Sequence, residues 1–384
     1  MTNIPVSSVV TDMSQAMSVK FNMKVYDLQR AGHNPIVLSL GEAFFDMTPM
    51  DLDGIDIVKG YHYSSSKGLP ELREIISNYY SDIYGVNSDP DTEVIISAGS
   101  KVLIYMCVLA AINPGDEVII LEPAWVSYID QVKIAHGTPV MVPYYHGVDD
   151  LERHITDKTK LLIVNNPNNP SGKIYTREEL DKLFFLAKKY NFRIISDEAY
   201  SDFVTDTEPF VSLGAVDVHK THSFIVNSLS KNLGMSGWRI GYVISNPDLI
   251  YLILKLNQHL ITCPTTLIEL YLVKHFNKII SNTTPQIKQV ILKRQAVANL
   301  MDEIGLKYLP GSGTFYFCVS IEGSRLKSEE FAMKLLEEHH VCTVPGRGYG
   351  DSLDCFLRVS IGTESIDRIK KGLLAIRNLI NETK

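Results

Sequence analysis

The stretch Phe192-Arg193-Ile194-Ile195-Ser196-Asp197-Glu198-Ala199-Tyr200 places a carboxylate directly after a short apolar run. Such a run of β-branched residues predicts a β-strand, which ends where the polar residues begin. A helical pattern over Arg177–Tyr190 precedes it, and a second β-branched run over Ser223–Asn227 follows it. This alternation of strands and helices predicts an α/β fold with a mostly parallel sheet.

The same rhythm extends in both directions and predicts a seven-stranded sheet with helices on both faces. The predicted strands are Glu93–Ser97, Glu117–Leu121, Pro139–Val142, Leu161–Asn165, Phe192–Ser196, Ser223–Asn227 and Ile240–Ile244. The two ends of the chain differ, because long helical patterns surround only a few strands there. We therefore predict a large domain over residues 44–281 and a smaller α+β domain built from residues 1–43 and 282–384. Its predicted helices include Gln286–Ile304, and its predicted strands are Thr314–Val319 and Phe356–Ile361.

Composition narrows the classes of function. The 384 residues carry a formal charge of −7, which gives no general attraction for nucleic acid or an anionic membrane. Five cysteines without a CxxC pair indicate free thiols in a reducing compartment and argue against a structural zinc site. No apolar stretch approaches the length of a membrane span, and Asp12 interrupts the apolar residues near the N-terminus. We expect a cytoplasmic protein with no resident metal.

Polar residues follow three successive predicted strands. Asn169 comes shortly after the strand that ends near Asn165, Asp197 ends the next strand, and Ser228 ends the one after. Ligands of open α/β sheets bind outside the carboxyl ends of the strands. The sequence therefore predicts that one crevice holds all three side chains.

Three charged groups near these strand ends match what pyridoxal phosphate requires. Lys231 supplies an amine for a Schiff base, Asp197 a carboxylate for the ring nitrogen, and Arg239 a guanidinium for the phosphate. Taken singly, Lys231 reads as a surface lysine and Asp197 as a helix N-cap. Their joint occurrence favours the cofactor interpretation, in which Tyr200 reaches the phenolic oxygen of the same ring.

A turn of small residues predicts the other end of this cofactor site. Gly99, Ser100 and Lys101 join a predicted strand to a helix, where backbone N–H groups can receive a phosphate. Ser228 and Arg239 would complete the cradle. The turn is a weak signal alone, because it lacks the GxxxxGK[ST] pattern.

Four motifs occur together in a fixed order. They are Asn166-Pro167-Asn168-Asn169-Pro170-Ser171-Gly172, Ser196-Asp197-Glu198-Ala199-Tyr200, Ser228-Leu229-Ser230-Lys231 and Gly237-Trp238-Arg239-Ile240-Gly241. In these motifs the chain resembles the fold-type I pyridoxal-phosphate aminotransferases of class I/II, in particular the bacterial aspartate-aminotransferase-like branch. The similarity extends from about Ser18 to the C-terminal helix.

The resemblance implies a role for each matching residue. Lys231 would bind the cofactor covalently and move the proton during transamination, with Asp197 at the ring nitrogen and Asn169 and Tyr200 at the ring oxygen. Trp125 would stack on the ring. Around the phosphate the resemblance implies Gly99, Ser100, Lys101, Ser228 and Arg239, and also Tyr63 from a neighbouring subunit, so that a homodimer shares its active sites. The substrate carboxylate would bind Arg358, assisted by Gly41 and Asn169.

The resemblance also implies a ping-pong transfer between an amino acid and a 2-oxo acid. Lys101 and Ser18 match positions that bind a side-chain carboxylate in the aspartate-type branch, which favours aspartate or glutamate. Lys101 serves equally well at the phosphate end. Two segments depart from the pattern, Ile261-Thr262-Cys263-Pro264 and Leu40-Gly41-Glu42-Ala43-Phe44-Phe45. They leave open an aromatic, neutral or specialised substrate, and a lyase would use the same lysine and aspartate.

Overall fold

A computed structural model describes residues 6–13 and 15–384 of the chain. The strands are β1 (Ile36–Val37), β2 (Val94–Ser97), β3 (Glu117–Leu121), β4 (Thr138–Val142), β5 (Thr159–Asn165), β6 (Arg193–Asp197), β7 (Ser223–Ser228), β8 (Gly241–Ile244), β9 (Tyr316–Ser320), β10 (Val341–Cys342), β11 (Val344–Pro345) and β12 (Phe356–Ser360). The helices are α1 (Ser8–Thr11), α2 (Met17–Arg30), α3 (Ile57–Gly60), α4 (Pro70–Tyr84), α5 (Ser100–Ala111), α6 (Ser127–Ile134), α7 (Arg177–Tyr190), α8 (Leu229–Asn232), α9 (Pro247–Leu260), α10 (Thr266–Glu303), α11 (Ser328–His339) and α12 (Ile366–Glu382).

The central sheet has seven strands in the order β2-β8-β7-β6-β5-β3-β4. All pairs are parallel except those of β8, which runs antiparallel to both β2 and β7. This confirms the predicted α/β fold and its mostly parallel seven-stranded sheet. Because β8 alone is reversed, the carboxyl ends of β2, β5, β6 and β7 lie at one edge of the sheet.

Helices cover both faces of this sheet. Neighbouring residues of β6 show the arrangement, since Ile194 packs into the core on one face and Ile195 into the core on the other. Both residues are fully buried. A strand buried on both faces carries a continuous apolar run, which explains why the stretch before Asp197 has no polar alternation.

Residues from both ends of the chain form a third apolar core. It joins Phe21 of α2 and Leu38 to β9, β12 and the last helix, α12. Strands β11, β12 and β9 form an antiparallel sheet, and β1 pairs with β10 in parallel. The proposed division into a large domain and a small domain stays a prediction.

One long helix differs from its predicted bounds. The sequence predicted a helix from Gln286, directly after Pro285, whereas α10 runs unbroken from Thr266 to Glu303 with Pro285 inside it. Proline removes one N–H from the helix ladder. The hydroxyls of Thr283 and Thr284 donate to the carbonyls of residues 279 and 280, one turn earlier. The predicted domain boundary at residues 281 and 282 therefore lies within a continuous helix.

Candidate active site

A cavity of about 470 Å³ opens at the carboxyl edge of the central sheet. Asn165 ends β5, Asp197 ends β6 and Ser228 ends β7, and the register of the strands pairs Asn165 with Asp197 directly. The predicted residues that line the cavity are Ser100, Lys101, Trp125, Asn169, Asp197, Tyr200, Ser228, Lys231 and Arg239. The crevice expected from the order of the strands thus contains all three polar strand ends.

Lys231 lies in the short helix α8, just beyond the end of β7. Its Nζ donates a hydrogen bond to the carbonyl oxygen of Gly41 at 2.6 Å and lies 5.8 Å from the ring centroid of Tyr200. Burial lowers the pKa of Lys231, the charges of Glu42 and Asp197 oppose this and those of Arg358 and Arg239 add to it, and the net result is a pKa of about 8. A substantial fraction of this amine is therefore neutral near pH 8, as a nucleophilic lysine requires.

Asp197 is a buried carboxylate held by two donors. Oδ2 accepts a hydrogen bond from the hydroxyl of Tyr128 at 2.6 Å, and Oδ1 accepts one from the backbone N–H of Ala199 at 3.2 Å. Burial raises the pKa of Asp197, while these two hydrogen bonds and the charge of Lys231 lower it. The arrangement holds a carboxylate facing a cavity, where it can pair with a cationic ring nitrogen.

Tyr128 was not among the residues predicted from the sequence. It lies at the start of α6, three residues after Trp125, and their rings meet edge to face with centroids 5.3 Å apart. Trp125 precedes α6, so no helical spacing in the sequence linked the two residues. The contact of Tyr128 with Asp197 spans 69 residues of sequence and is visible only in the folded chain.

Asn169 and Tyr200 lie side by side in the cavity wall. The side-chain amide of Asn169 donates to the Tyr200 hydroxyl at 3.1 Å, and its backbone N–H donates to Oδ1 of Asn165 at 2.6 Å. The Tyr200 hydroxyl also lies 3.1 Å from that of Tyr316. Oδ1 of Asn169 is buried and has no hydrogen-bond partner among residues 6–13 and 15–384. A polar ligand in the cavity would satisfy it.

Gly99 and Arg239 form a cradle at the start of α5. Gly99 has φ +93°, and a Cβ added there would lie 2.5 Å from Nη2 of Arg239. The guanidinium can therefore approach the first turn of the helix only because residue 99 is glycine. Arg239 itself has φ +57°, and its Nη1 donates to the carbonyl of Ser236 at 2.6 Å.

Ser100 and Ser228 complete the cradle, since both line the same cavity. Ser228 caps the short helix α8 by accepting a hydrogen bond from the N–H of Ser230. Free N–H groups at a helix start and a fixed cation together suit a phosphate. The residues present thus fit pyridoxal phosphate, with an amine, a carboxylate and an anion cradle around one cavity.

Lys101 lies at the border of this cradle. Its Nζ is 4.9 Å from the ring centroid of Trp125, and burial, followed by the charge of Arg239, lowers its pKa. A second cavity, lined in part by Lys101, Arg239 and residues of α6, adjoins the first. This position is compatible with a contact to either a phosphate or a substrate carboxylate.

Besides Gly41 and Gly99, which are described above, three predicted residues do not line the main cavity. Ser18 lies partly buried in α2, and Tyr63 is 85% exposed. Arg358 is buried in β12, where its guanidinium donates to the carbonyl of Ser39 and packs 4.7 Å from the ring centroid of Tyr316. Its Nε has no hydrogen-bond partner in the described part of the chain. The roles assigned to these three residues stay predictions.

Other residues line the cavity that the sequence did not single out, namely Glu42, Ser230 and Ser236. The Ser236 hydroxyl donates to Glu42 at 2.6 Å. Across residues 6–13 and 15–384, no cluster of three or more His, Cys, Asp or Glu side chains is arranged to hold a metal ion. Within the same ranges, no helix is both long and apolar enough to cross a membrane.

Comparison with known proteins adds independent information. The family model described as aminotransferase class I and II matches residues 55–373. The aspartate aminotransferase of Pyrococcus abyssi is 32% identical, over 91% of this chain and 94% of its own length. The aromatic-amino-acid aminotransferase 2 of Thermococcus litoralis is 31% identical, with the same two coverages. The structure of Thermus thermophilus aspartate aminotransferase with maleate superposes with a TM-score of 0.88 at 28% identity, covering 98% of this chain and 100% of that one.

Proposed function

Because this chain belongs to the class I and II aminotransferases, fold-type I enzymes that use pyridoxal phosphate, we propose that it transfers an amino group between aspartate or glutamate and a 2-oxo acid. The transfer would follow a ping-pong sequence of two half-reactions. The observation that carries the proposal is the single cavity onto which the amine of Lys231, the carboxylate of Asp197 and the guanidinium of Arg239 open.

We assign Lys231 the two tasks of an amine in this chemistry. It would hold the cofactor's aldehyde carbon at rest, then accept the proton from the substrate α-carbon and return it. The lowered pKa of Lys231, about 8, supports both tasks, because the neutral amine is the nucleophile and the base. When bound, pyridoxal phosphate supplies a conjugated ring that stabilises the negative charge left at the α-carbon.

The other residues of the cavity would hold and orient the cofactor. Asp197, itself oriented by Tyr128, would keep a proton on the ring nitrogen. Asn169 and Tyr200 would donate to the ring oxygen, and Trp125 would cover the ring face. Gly99, Ser100, Ser228 and Arg239 would bind the phosphate.

Substrate recognition would fall to Arg358, because a guanidinium pairs with a carboxylate through two parallel hydrogen bonds. Its buried Nε, unpartnered within the described ranges, supports this capacity. Gly41 would contribute by its position, since its carbonyl accepts from Lys231. Lys101, with a contribution from Ser18, would bind the side-chain carboxylate of aspartate or glutamate.

An aromatic substrate is the second candidate. The relative from Thermococcus litoralis is named for aromatic amino acids and is as similar to this chain as the one named for aspartate. Phe44 supports this candidate, because its ring is 65% exposed and borders a small pocket that shares Glu42, Ser230 and Ser236 with the main cavity.

We also propose a homodimer in which Tyr63 reaches the phosphate end of the partner's cavity. The exposed ring of Tyr63 supports it, because the residue does not line the cavity of its own chain.

We further propose a cytoplasmic location, which is supported by the five cysteines, all of them free.

The test is spectroscopy of each half-reaction. Protein loaded with pyridoxal phosphate is mixed with aspartate or glutamate and no oxo acid, and the absorption band of the lysine-bound cofactor should give way to that of its amine form. A 2-oxo acid should then restore the first band. If none of the twenty amino acids causes the change, the transaminase proposal is wrong.

Lys231→Ala provides the matching variant. It should retain some cofactor without a covalent bond and lose turnover, whereas Lys255→Ala, which changes an exposed lysine of α9, should behave like the wild type. Turnover by Lys231→Ala at the wild-type rate would contradict the assignment of this lysine.

A further inference from the structure

Glu269 is a fully buried carboxylate that the proposed chemistry does not use. It lies in the first turn of α10. Its Oε2 accepts a hydrogen bond from the hydroxyl of Ser64 at 2.8 Å, and its Oε1 accepts one from the backbone N–H of Leu69 at 2.9 Å. Both of these donors belong to the segment 62–69, which leads into α4.

Gly68 is part of the same contact. It has φ +88°, and a Cβ added there would lie 2.9 Å from Oε1 of Glu269 and 2.7 Å from Cβ of Ile96. The carboxylate can therefore reach the N–H of Leu69 only because the preceding residue has no side chain. The contact thus depends on the glycine at residue 68 of the segment and on the glutamate at residue 269 of α10.

Further hydrogen bonds fix the rest of this segment. The Thr266 hydroxyl donates to the carbonyl of His62 at 2.7 Å, and the Asn257 side chain donates to the carbonyl of Ser66 at 2.6 Å. The N–H of Ile96 in β2 donates to the carbonyl of Lys67 at 3.0 Å. The backbone of residues 62–69 is thus held from α9, α10 and the central sheet.

Tyr63 lies within this fixed segment, yet its ring is 85% exposed. The hydrogen bonds of the segment fix its backbone while the aromatic ring of Tyr63 points outward. An aromatic ring with a fixed backbone loses little conformational entropy when another molecule receives it. The geometry thus suits a residue that acts outside its own chain.

We propose that Glu269 is a positioning residue for the cavity of the partner subunit. By holding Ser64, the residue next to Tyr63, and Leu69, at the end of the segment, it fixes the direction in which Tyr63 projects toward the partner's phosphate cradle. Glu269 therefore contributes to cofactor binding in the other subunit and not in its own. This inference rests on the homodimer of the proposed function.

Glu269→Gln tests the inference in hybrid dimers, because the amide nitrogen of glutamine cannot accept a hydrogen bond. One hybrid pairs a Glu269→Gln subunit with a Lys231→Ala subunit, and its only working cavity receives Tyr63 from the subunit that has Glu269. The second hybrid pairs a wild-type subunit with one that carries both substitutions, and its only working cavity receives Tyr63 from the subunit that lacks Glu269. Activity of the apo-dimers, titrated with pyridoxal phosphate, reports the working cavity alone.

The first hybrid should match the control hybrid of wild type with Lys231→Ala. The second should need about tenfold more pyridoxal phosphate for half-maximal activity, as expected from the loss of a hydrogen bond to a buried carboxylate. The Glu269→Gln homodimer should show the same increase. Glu303→Gln, at the exposed far end of α10, is the charge-matched control and should change nothing.

Three results would overturn the inference. The first is impairment of the first hybrid instead of the second. The second is a Glu269→Gln homodimer that binds the cofactor as tightly as the wild type does. The third is a wild-type protein that sediments as a monomer. If Glu269→Gln does not fold, Ser64→Ala removes one of the two donors and should give a smaller increase in the same hybrid arrangement. Absence of transamination by the wild type would refute the proposed function instead, so the two failures can be told apart.

Discussion

Replacement of Tyr128 by phenylalanine is expected to move the acid limb of the pH–rate profile upward. The substitution keeps the ring and removes the hydroxyl that donates to Oδ2 of Asp197 at 2.6 Å. That hydrogen bond lowers the pKa of Asp197, against the effect of burial, which raises it. Without the hydroxyl the carboxylate is less stable, so the carboxyl group takes up its proton at a higher pH.

The size of the effect follows from the kind of hydrogen bond. A hydrogen bond to a charged group contributes about 1.5–3 kcal/mol. At about 1.4 kcal/mol for each tenfold change in an equilibrium constant, this hydrogen bond is large enough to change the rate on the acid limb by about tenfold or more. Where more of the Asp197 side chain is protonated, it can no longer pair with a cationic ring nitrogen, so the rate of proton removal on the acid limb should fall by about tenfold or more.

Stopped-flow measurement of the first half-reaction between about pH 5 and pH 9 tests this expectation. The control is Tyr251→Phe, which removes a hydroxyl from a largely exposed ring in α9. An acid limb at the same pH in Tyr128→Phe and in the wild type would refute the role given to Tyr128. A uniform loss of rate at every pH would also refute it, because that result indicates altered packing and no change in ionisation.

Three further predictions concern the cofactor cradle and the amine. Gly99→Ala should weaken cofactor binding about tenfold or more in a titration of the apo-protein, since its Cβ would displace Arg239. Gly115→Ala is its control, because Gly115 has a similar positive φ but no atom near an added Cβ. This variant should lose stability and keep its affinity for the cofactor. Equal cofactor affinities of the two variants would contradict the cradle. Covalent binding of pyridoxal phosphate to the apo-protein should become faster as the pH rises. Its rate should be half-maximal near pH 8, where Lys231 loses its proton. A rise only near pH 10 would contradict the lowered pKa of Lys231. Lys101→Ala should impair aspartate and glutamate at least tenfold more than phenylalanine in half-reaction rates; an equal loss for all donors would assign Lys101 to the phosphate end.

Much of the central sheet could be predicted from local patterns. Short β-branched runs between amphipathic segments predicted all seven strands within a few residues, because a strand covered on both faces needs an uninterrupted apolar run. The grouping of Asn169, Asp197 and Ser228 around one cavity also followed, since the carboxyl ends of neighbouring parallel strands meet at one edge.

The bounds of α10 could not be predicted in the same way. Pro285 is a local signal for the start of a helix, and the predicted helix began directly after it, at Gln286. In the folded chain the helix continues through this residue, because apolar side chains before and after it, such as Phe276 and Ile287, pack into two different cores. Packing of this kind depends on distant segments and outweighs the local cost of a missing N–H.

The sequence alone determined which chemical groups are available, and the order of the strands determined that Lys231, Asp197 and Asn169 meet. Only the tertiary structure decided how each group is held. The side-chain donor to Asp197 is 69 residues away in Tyr128, and the hydroxyl of Ser64 reaches Glu269 across 205 residues. Such contacts have no local signature, because the free energy of a hydrogen bond depends on burial and distance, and both are set by the packing of whole elements.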